Sequence, residues 1–260
     1  MEIALITATA MEMRAALAGV LPPGETPDLP PLAPPGGAFL PALRLEGLTL
    51  HPLLCGIGLP NAALALGKLL GKDLPLAGVL NLGLAGSYAP RLAPLGSLVA
   101  ASEEIWPEYG LARGKTVRAK ALGLALAERG GRAVFDRIAL DPVLSLRNMG
   151  LNGQAAGRRG PAVTVAGVSG SPSLAGRLRR RTGGLMENME GFALALGCLG
   201  QGDEGLPFAE IRSISNLAGL RPPAGWNLPL ALDSLGKAAR LLFSPAAPAN
   251  PPARRMDRYA

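Results

Sequence analysis

The chain reads as an α/β protein: a central mixed, largely parallel β-sheet flanked by helices. Three observations predict this. Short β-rich apolar runs alternate with helical patterns along most of the length, as in "EIALITA" followed by "MEMRAALAGV". Several of the apolar runs end in glycine turns, notably "CGIG" (55–58) and "NLGLAGS" (81–87). The 260 residues are 48% hydrophobic, enough for one sizeable core.

In order, residues 2–8 predict a first strand and the segment after it a helix. The Pro/Gly-rich stretch 22–37 predicts a surface loop. "LTLHPLLC" is a strand, "LPNAALALGKLLG" a helix ending at glycine, and "LAGVLNLGLAG" and "LGSLVAA" are two further buried strands. Between about 103 and 160 the pattern weakens: "EEIWPEYGLARG" predicts a loop, "RAKALGLALAERGG" a helix and "LRNMGLNGQAAGRRG" a long connection. "PAVTVAGVSG" predicts a strand and "SPSLAGRLRRRTGG" a helix opened by a Ser-Pro cap. A helix from about 188 to 199, the strand "PFAEIRSIS" and the amphipathic helix "NLPLALDSLGKAARLLF" complete a single domain over residues 1–243. The Pro- and Arg-rich residues 244–260 predict a disordered tail.

The net charge of +7 raises the question of nucleic acid. Its distribution argues against that partner. Arg177, Arg179, Arg180 and Arg181 fall on one short helix and Arg254, Arg255 and Arg258 in the tail, with no interleaved aromatic residues on which bases would stack. No run reaches the ~18 apolar residues of a membrane span, so no membrane partner is expected. Two cysteines, Cys55 and Cys198, are too few for a metal site and read as buried hydrophobes of a cytoplasmic protein. The only histidine, His51, sits inside a strand, which leaves Ser-His-Asp and zinc chemistry without their residues.

Four places carry candidate chemistry. Glu12 lies just past the first strand, and "TAME" also fits a capping box in which the glutamate bonds back to Thr9. The two glycine turns offer close backbone approach to a ligand, although ordinary strand-to-helix turns use glycine as well. Glu187 and Glu190 in "GLMENMEGFALAL" sit at the expected start of a helix, where the macrodipole favours acid. That accounts for Glu187 and less well for Glu190, which borders an inward face traced by Met186, Met189, Ala193 and Leu196. "EIRSISN" ends a strand with Arg212, Ser215 and Asn216, residues that can read a ligand or start a turn.

Taken in order, "TAME", "GIG", "GLAGS", "VSG" (168–170), "ENMEG" and "EIRSISN", with the later Trp226, resemble the purine nucleosidase and nucleoside phosphorylase family, and its methylthioadenosine nucleosidase-like branch in particular. The resemblance covers residues 2 to about 243 and implies hydrolysis of a purine N-glycosidic bond. Futalosine is the implied substrate, with hypoxanthine released on the way to menaquinone; methylthioadenosine or adenosylhomocysteine is the alternative. A non-catalytic nucleoside-binding homologue is a further reading. Phosphorolysis fits less well, since "TATAMEMR" lacks the Gly-and-Arg phosphate loop of the phosphorylases. By the same resemblance Glu12 activates water, Arg212 lies near that water, and Asn216 contacts the purine N7 edge, with Ser215 beside it. Ile57, Ala85 and Gly86 line the nucleoside, Val168 borders the base, Met189 packs under the ribose, and Glu190 grips its hydroxyls. No metal or organic cofactor is implied, and a homo-oligomer is. Ala10 and Leu84 depart from the family, as does "WPEYG".

Overall fold

The computed structural model describes residues 1–244; the expected basic tail, with Arg254, Arg255 and Arg258, lies outside the described residues. Strand β1 (Glu2–Thr7) leads into helix α1 (Ala10–Ala18). After the Pro/Gly loop come β2 (Ala38–Phe39), β3 (Leu43–Leu45), β4 (Leu48–Leu54), α2 (Leu59–Leu70), β5 (Leu76–Ser87) and β6 (Leu98–Ile105). Two small hairpins follow, β7 (Leu111–Arg113) with β8 (Thr116–Arg118) and β9 (Ala127–Arg129) with β10 (Arg132–Val134). The chain continues through β11 (Arg137–Ala139), α3 (Pro142–Asn148), β12 (Arg158–Thr164), α4 (Pro172–Thr182) and β13 (Met186–Asn188). It closes with α5 (Gly191–Leu199), β14 (Phe208–Leu217) and α6 (Leu228–Phe243).

Ten strands form one mixed sheet. Strands β4, β1, β5 and β14 run parallel in that spatial order, and β6, β12 and β13 form a second parallel block. Antiparallel pairs β13–β5 and β14–β6 join the blocks, so β5, β13, β12, β6 and β14 close a ring of strands. One core layer packs α1 and α6 on the sheet through Met13, Leu17, Leu235 and Leu242. A second packs α2 and α5 on the other side through Ala65, Leu66, Phe192 and Cys198. The strands buried on both faces read as unbroken apolar runs for that reason.

Local signals set two helix starts as expected, the Thr9–Glu12 capping box opening α1 and Ser171 capping α4, and Asn227 caps α6 in the same way. Four segments differ. The expected helix over 118–131 is instead the end of β8, a 3₁₀ turn and hairpin β9–β10. Gly123 takes a left-handed φ of 76°, and Gly130 and Gly131 (φ 54° and 72°) supply the two-residue hairpin turn, so three glycines override alanine and leucine propensity. The expected connection at 146–160 contains the end of α3, a 3₁₀ turn at Gly153–Ala156 and the start of β12. Likewise Glu103–Ile105, expected in a loop, belong to β6, whose partner β11 is too short to show as a sequence pattern.

The helix expected from 188 also differs. Residues 186–188 pair as strand β13 with β12 and β5, Glu190 is the residue before α5, and its side chain makes no capping bond. Glu187 is therefore not on a helix, and dipole compensation does not explain it. The buried face of α5 is Phe192, Leu194, Ala195 and Cys198, while Met189, Ala193 and Leu196 are half-buried. His51 plays a structural part, its Nε2 lying 2.8 Å from Glu2 Oε2 across the β1–β4 pair. Both cysteines are free and buried. Among the described residues no helix is long and apolar enough to cross a membrane.

Candidate active site

The carboxyl ends of β1, β4, β5 and β14 are adjacent, and in an open parallel sheet that edge is where ligands bind. A cavity of about 300 Å³ lies there. Nine of the ten residues named from the sequence line it: Glu12, Ile57, Ala85, Gly86, Val168, Met189, Glu190, Ser215 and Asn216. Arg212 does not. It is buried next to Gly83 and outside the cavity, and it meets the site through Glu190.

Sheet register explains the glycines of β5. Gly83 stands opposite Arg212 on β14, and a Cβ at Gly83 would overlap the guanidinium and come 2.9 Å from Glu12 Oε1. Gly86 stands between Asn216 on β14 and Glu187 on β13. A Cβ there would lie 3.0 Å from Asn216 Nδ2 and 3.2 Å from Glu187 Cγ. Two bare backbone positions thus let four polar side chains converge. Gly83→Ala should cost about 1–3 kcal/mol through this overpacking, read as a lower Tm of the purified protein.

Glu12 is 5% exposed and held by three donors. Its Oε2 accepts from Thr9 N (2.8 Å) and Thr9 Oγ1 (2.7 Å), and its Oε1 accepts from Leu84 N (2.9 Å). The capping box and the place in the cavity are both real, because the bonds that cap α1 also aim the carboxylate. Leu84 takes part through its backbone amide, which any residue supplies.

Glu190 is equally buried. Its Oε1 accepts from Gly58 N at 3.0 Å and its Oε2 lies 3.4 Å from Arg212 Nη1. Burial pushes its carboxyl above the ordinary range, Arg212 and the Gly58 amide pull it back, and Glu12 and Glu210 push it up again. Arg212 is loaded on every side: Nε donates to Glu210 Oε1 (2.8 Å) and Nη2 to Asn81 Oδ1 (2.6 Å). Burial opposes its charge, but Glu210, Glu190 and Glu12 outweigh burial and hold it above its ordinary value, so it stays a cation.

At the other end Ser215 Oγ donates to Asn216 Oδ1 (2.9 Å), which leaves Nδ2 as the group of Asn216 open to a ligand. Trp226 pairs with Asn216 through the backbone, and its Nε1 donates to Leu220 O (2.9 Å), folding the segment after β14 over this end. Glu187, which the sequence placed on a helix dipole, lines the cavity here. Its carboxylate accepts from Tyr88 OH (2.8 Å) and Ser169 Oγ (2.7 Å) and pins the loop after β12 over the site. Asn188, Ser169 and Trp226 also line the cavity; the motifs "ENMEG" and "VSG" and the later Trp226 mark them in the sequence, with no role assigned to their side chains. Among the described residues no group of three or more His, Cys, Asp or Glu side chains is placed to hold a metal ion.

Comparison with known proteins agrees with this geometry. The phosphorylase superfamily profile matches residues 2–244. The futalosine hydrolase of Thermus thermophilus is 38% identical over 211 residues, 80% of this chain and 87% of that one. The futalosine hydrolase of Streptomyces coelicolor is 32% identical over 220 residues, 76% and 85% of the two chains. Among solved structures, the native futalosine hydrolase of Helicobacter pylori superposes with a TM-score of 0.67 over 92% of this chain and 94% of its own, at 17% identity, a likeness of fold. A mixed sheet with its cavity at the strand ends, matched from the first strand to the last helix, places the chain in the phosphorylase superfamily.

Proposed function

We propose that this protein is an N-glycosidic hydrolase that opens futalosine, releasing hypoxanthine and feeding menaquinone synthesis. The observation that carries the reading is one cavity lined by two buried carboxylates, Glu12 and Glu190, the second backed by the buried cation Arg212, while a carboxamide, Asn216, marks the far end. Breaking the bond builds positive charge on the sugar and negative charge on the leaving base, so a site needs an acceptor for the water proton, anions around the ribose and donors at the purine.

In this reading Glu12 takes the proton of the attacking water, its carboxylate already aimed by Thr9 and Leu84. Glu190 accepts from the ribose hydroxyls, with Met189 and Ile57 as the apolar walls of the sugar subsite. Arg212 acts from behind, keeping the Glu190 carboxylate in place. Asn216, oriented by Ser215, donates from Nδ2 to an acceptor on the purine edge, and Ala85, Gly86 and Val168 enclose the base. None of these steps calls for a metal or organic cofactor. The side chain of Ile57 at the cavity lip is 55% exposed in the single chain, which supports a neighbouring subunit completing that wall in a homo-oligomer. Residues 1–243 act as one catalytic unit. Two free thiols fit a reducing compartment, and we place the reaction in the cytoplasm.

The test is to incubate the purified protein with futalosine, methylthioadenosine and inosine, each with and without phosphate, and identify the released base and sugar. Phosphate-independent release of hypoxanthine from futalosine is the expected result. Adenine from methylthioadenosine as the faster reaction, or a phosphorylated sugar as product, overturns the assignment.

Base choice gives a sharper prediction. An Nδ2 donor suits O6 of hypoxanthine, whereas an ionised aspartate at 216 would repel O6 and accept from a 6-amino group. A repelled or unpaired polar group in a closed site costs about 1–3 kcal/mol. Asn216→Asp should therefore shift the kcat/KM ratio of futalosine to its 6-amino analogue by roughly ten- to a hundredfold toward the amino compound. An unchanged ratio removes Asn216 from base recognition.

A further inference from the structure

Behind the sugar subsite, and outside the cavity, two glutamates lie inside strands of the central sheet: Glu104 on β6 and Glu210 on β14. Both are completely buried. Asn188 bridges them, Nδ2 donating to Glu104 Oε1 (2.9 Å) and to Glu210 Oε1 (3.0 Å). Its orientation is set from the other side, since Oδ1 accepts the backbone amides of Glu190 and Gly191. The Thr164 hydroxyl, which accepts from Phe192 N, donates to Glu104 Oε2 at 2.5 Å. Glu210 Oε1 also takes Arg212 Nε. That leaves Glu210 Oε2 buried without a donor among the described residues. A Cβ at Gly191 would overlap both this atom and Glu104 Oε1, so the two oxygens converge on one point.

A buried acceptor with no donor is costly, and two carboxylates side by side in a dry interior cannot both ionise. Arg212 touches Glu210 and not Glu104, so the charge belongs on Glu210 and the proton on Glu104. Burial first, and then the charge of Glu210, push the Glu104 carboxyl well above the ordinary range. We propose that Glu104 and Glu210 share one proton in the folded protein, and that the single negative charge left on Glu210 positions Arg212, and through it Glu190, behind the sugar subsite. Glu210 is then a positioning residue two contacts from Glu190: Glu210 Oε1 to Arg212 Nε at 2.8 Å, Arg212 Nη1 to Glu190 Oε2 at 3.4 Å. The step from Glu190 to the ribose rests on the function proposed above; the shared proton does not.

The groups facing Glu190 are Arg212 and Glu210 from β14, Glu12 from α1, the Gly58 amide, and Cys55, whose thiol is pushed far up by burial and stays neutral. Removing the charge of Glu210 takes away one of the two anions that raise the Glu190 carboxyl. The acid limb of riboside hydrolysis should therefore move to lower pH in Glu210→Gln. In Glu104→Gln it should stay in place, because an amide N–H then meets Glu210 Oε2 where the acid supplied its O–H; the same NH₂ cannot accept from Asn188 Nδ2, and that lost bond should show as a lower Tm.

The experiment has two arms. In the first, infrared spectra of the unmodified protein at neutral pH should contain the carbonyl stretch of a protonated carboxylic acid that is absent from Glu104→Gln; if the spectra are identical, there is no shared proton. This arm needs no substrate and no fold-sensitive variant of Glu210. In the second, kcat/KM is measured for a purine riboside and its 2′-deoxy counterpart across pH. Glu104→Gln should stay within about threefold on both, whereas Glu210→Gln should lose about tenfold or more on the riboside with little change on the deoxyriboside. Equal losses on the two substrates, or an acid limb that does not move, would reduce Glu210 to a structural residue. Glu210→Asp, which keeps the charge and withdraws it by one methylene, replaces the amide variant if that one does not fold, and should show the same selective loss in smaller measure. An unmodified protein that cleaves no nucleoside at all overturns the functional reading and the positioning role together, and leaves the infrared result standing.

Discussion

Glu12→Gln is expected to abolish most turnover while substrate still binds. The amide cannot take a proton from water, and general-base assistance of this kind is worth ~10²–10⁴-fold. The size of the loss follows from the surroundings. Oε2 and Oε1 of Glu12 already hold three donors, and glutamine can accept on one oxygen only, so its NH₂ must face either Thr9 or the Leu84 amide. The variant therefore loses twice, in chemistry and in cap geometry, and the two are separable. Thr9→Ala removes the hydroxyl cap, should cost about 1 kcal/mol of stability, and leaves the carboxylate and the Leu84 bond in place. Single-turnover rates beside Tm values for both variants check this. If Glu12→Gln lowers Tm as Thr9→Ala does but turns over at the normal rate, Glu12 is a helix cap and the base is elsewhere.

Glu190→Gln is expected to lose about ten- to a hundredfold in kcat/KM on ribosides and far less on 2′-deoxyribosides, since hydrogen bonds to a charged group are worth about 1.5–3 kcal/mol. The carboxylate is gripped by Gly58 N and Arg212 at fixed positions, so a diol presented to it meets an acceptor that does not have to reorganise. The pH dependence has a definite sign. Burial raises the Glu190 carboxyl, so riboside hydrolysis should fall on acidification at a pH above the ordinary glutamate range of about 4.3. In Glu190→Gln that limb should vanish. Equal losses on ribosides and deoxyribosides would take the diol away from Glu190.

Much of the site was legible in the sequence through the resemblance carried by its short motifs together; taken singly, each glycine turn and each acid also fits an ordinary turn or helix cap. "TAME", "GLAGS" and "EIRSISN" each mark a strand end, and the parallel β1, β5 and β14 bring those ends to one edge, whereas "ENMEG" reads as a helix start and is the end of β13, which meets β5 antiparallel. The two hairpins between β6 and β11 were not legible. Their strands are three residues long, too short for a period of two to stand out from alanine- and leucine-rich helical propensity.

What the sequence by itself determined was the order of strands and helices over most of the chain, the caps that end the helices, and the set of polar residues delivered to the strand ends. Those follow from periodicity and from hydrogen bonds that close within a few residues. The tertiary structure alone decided which charges face each other. Leu84 N meets Glu12 across 72 positions, Asn188 meets Glu104 across 84, and Asn81 meets Arg212 across 131. It placed Arg212 outside the cavity, against Glu190, and turned Glu187 from a helix end to the wall of the cavity. It also set two acids together in a dry interior with one cation between them and the sugar subsite. Desolvation and pairing are properties of a place, and these places are assembled from strands far apart in the chain, so no local pattern of residues carries them.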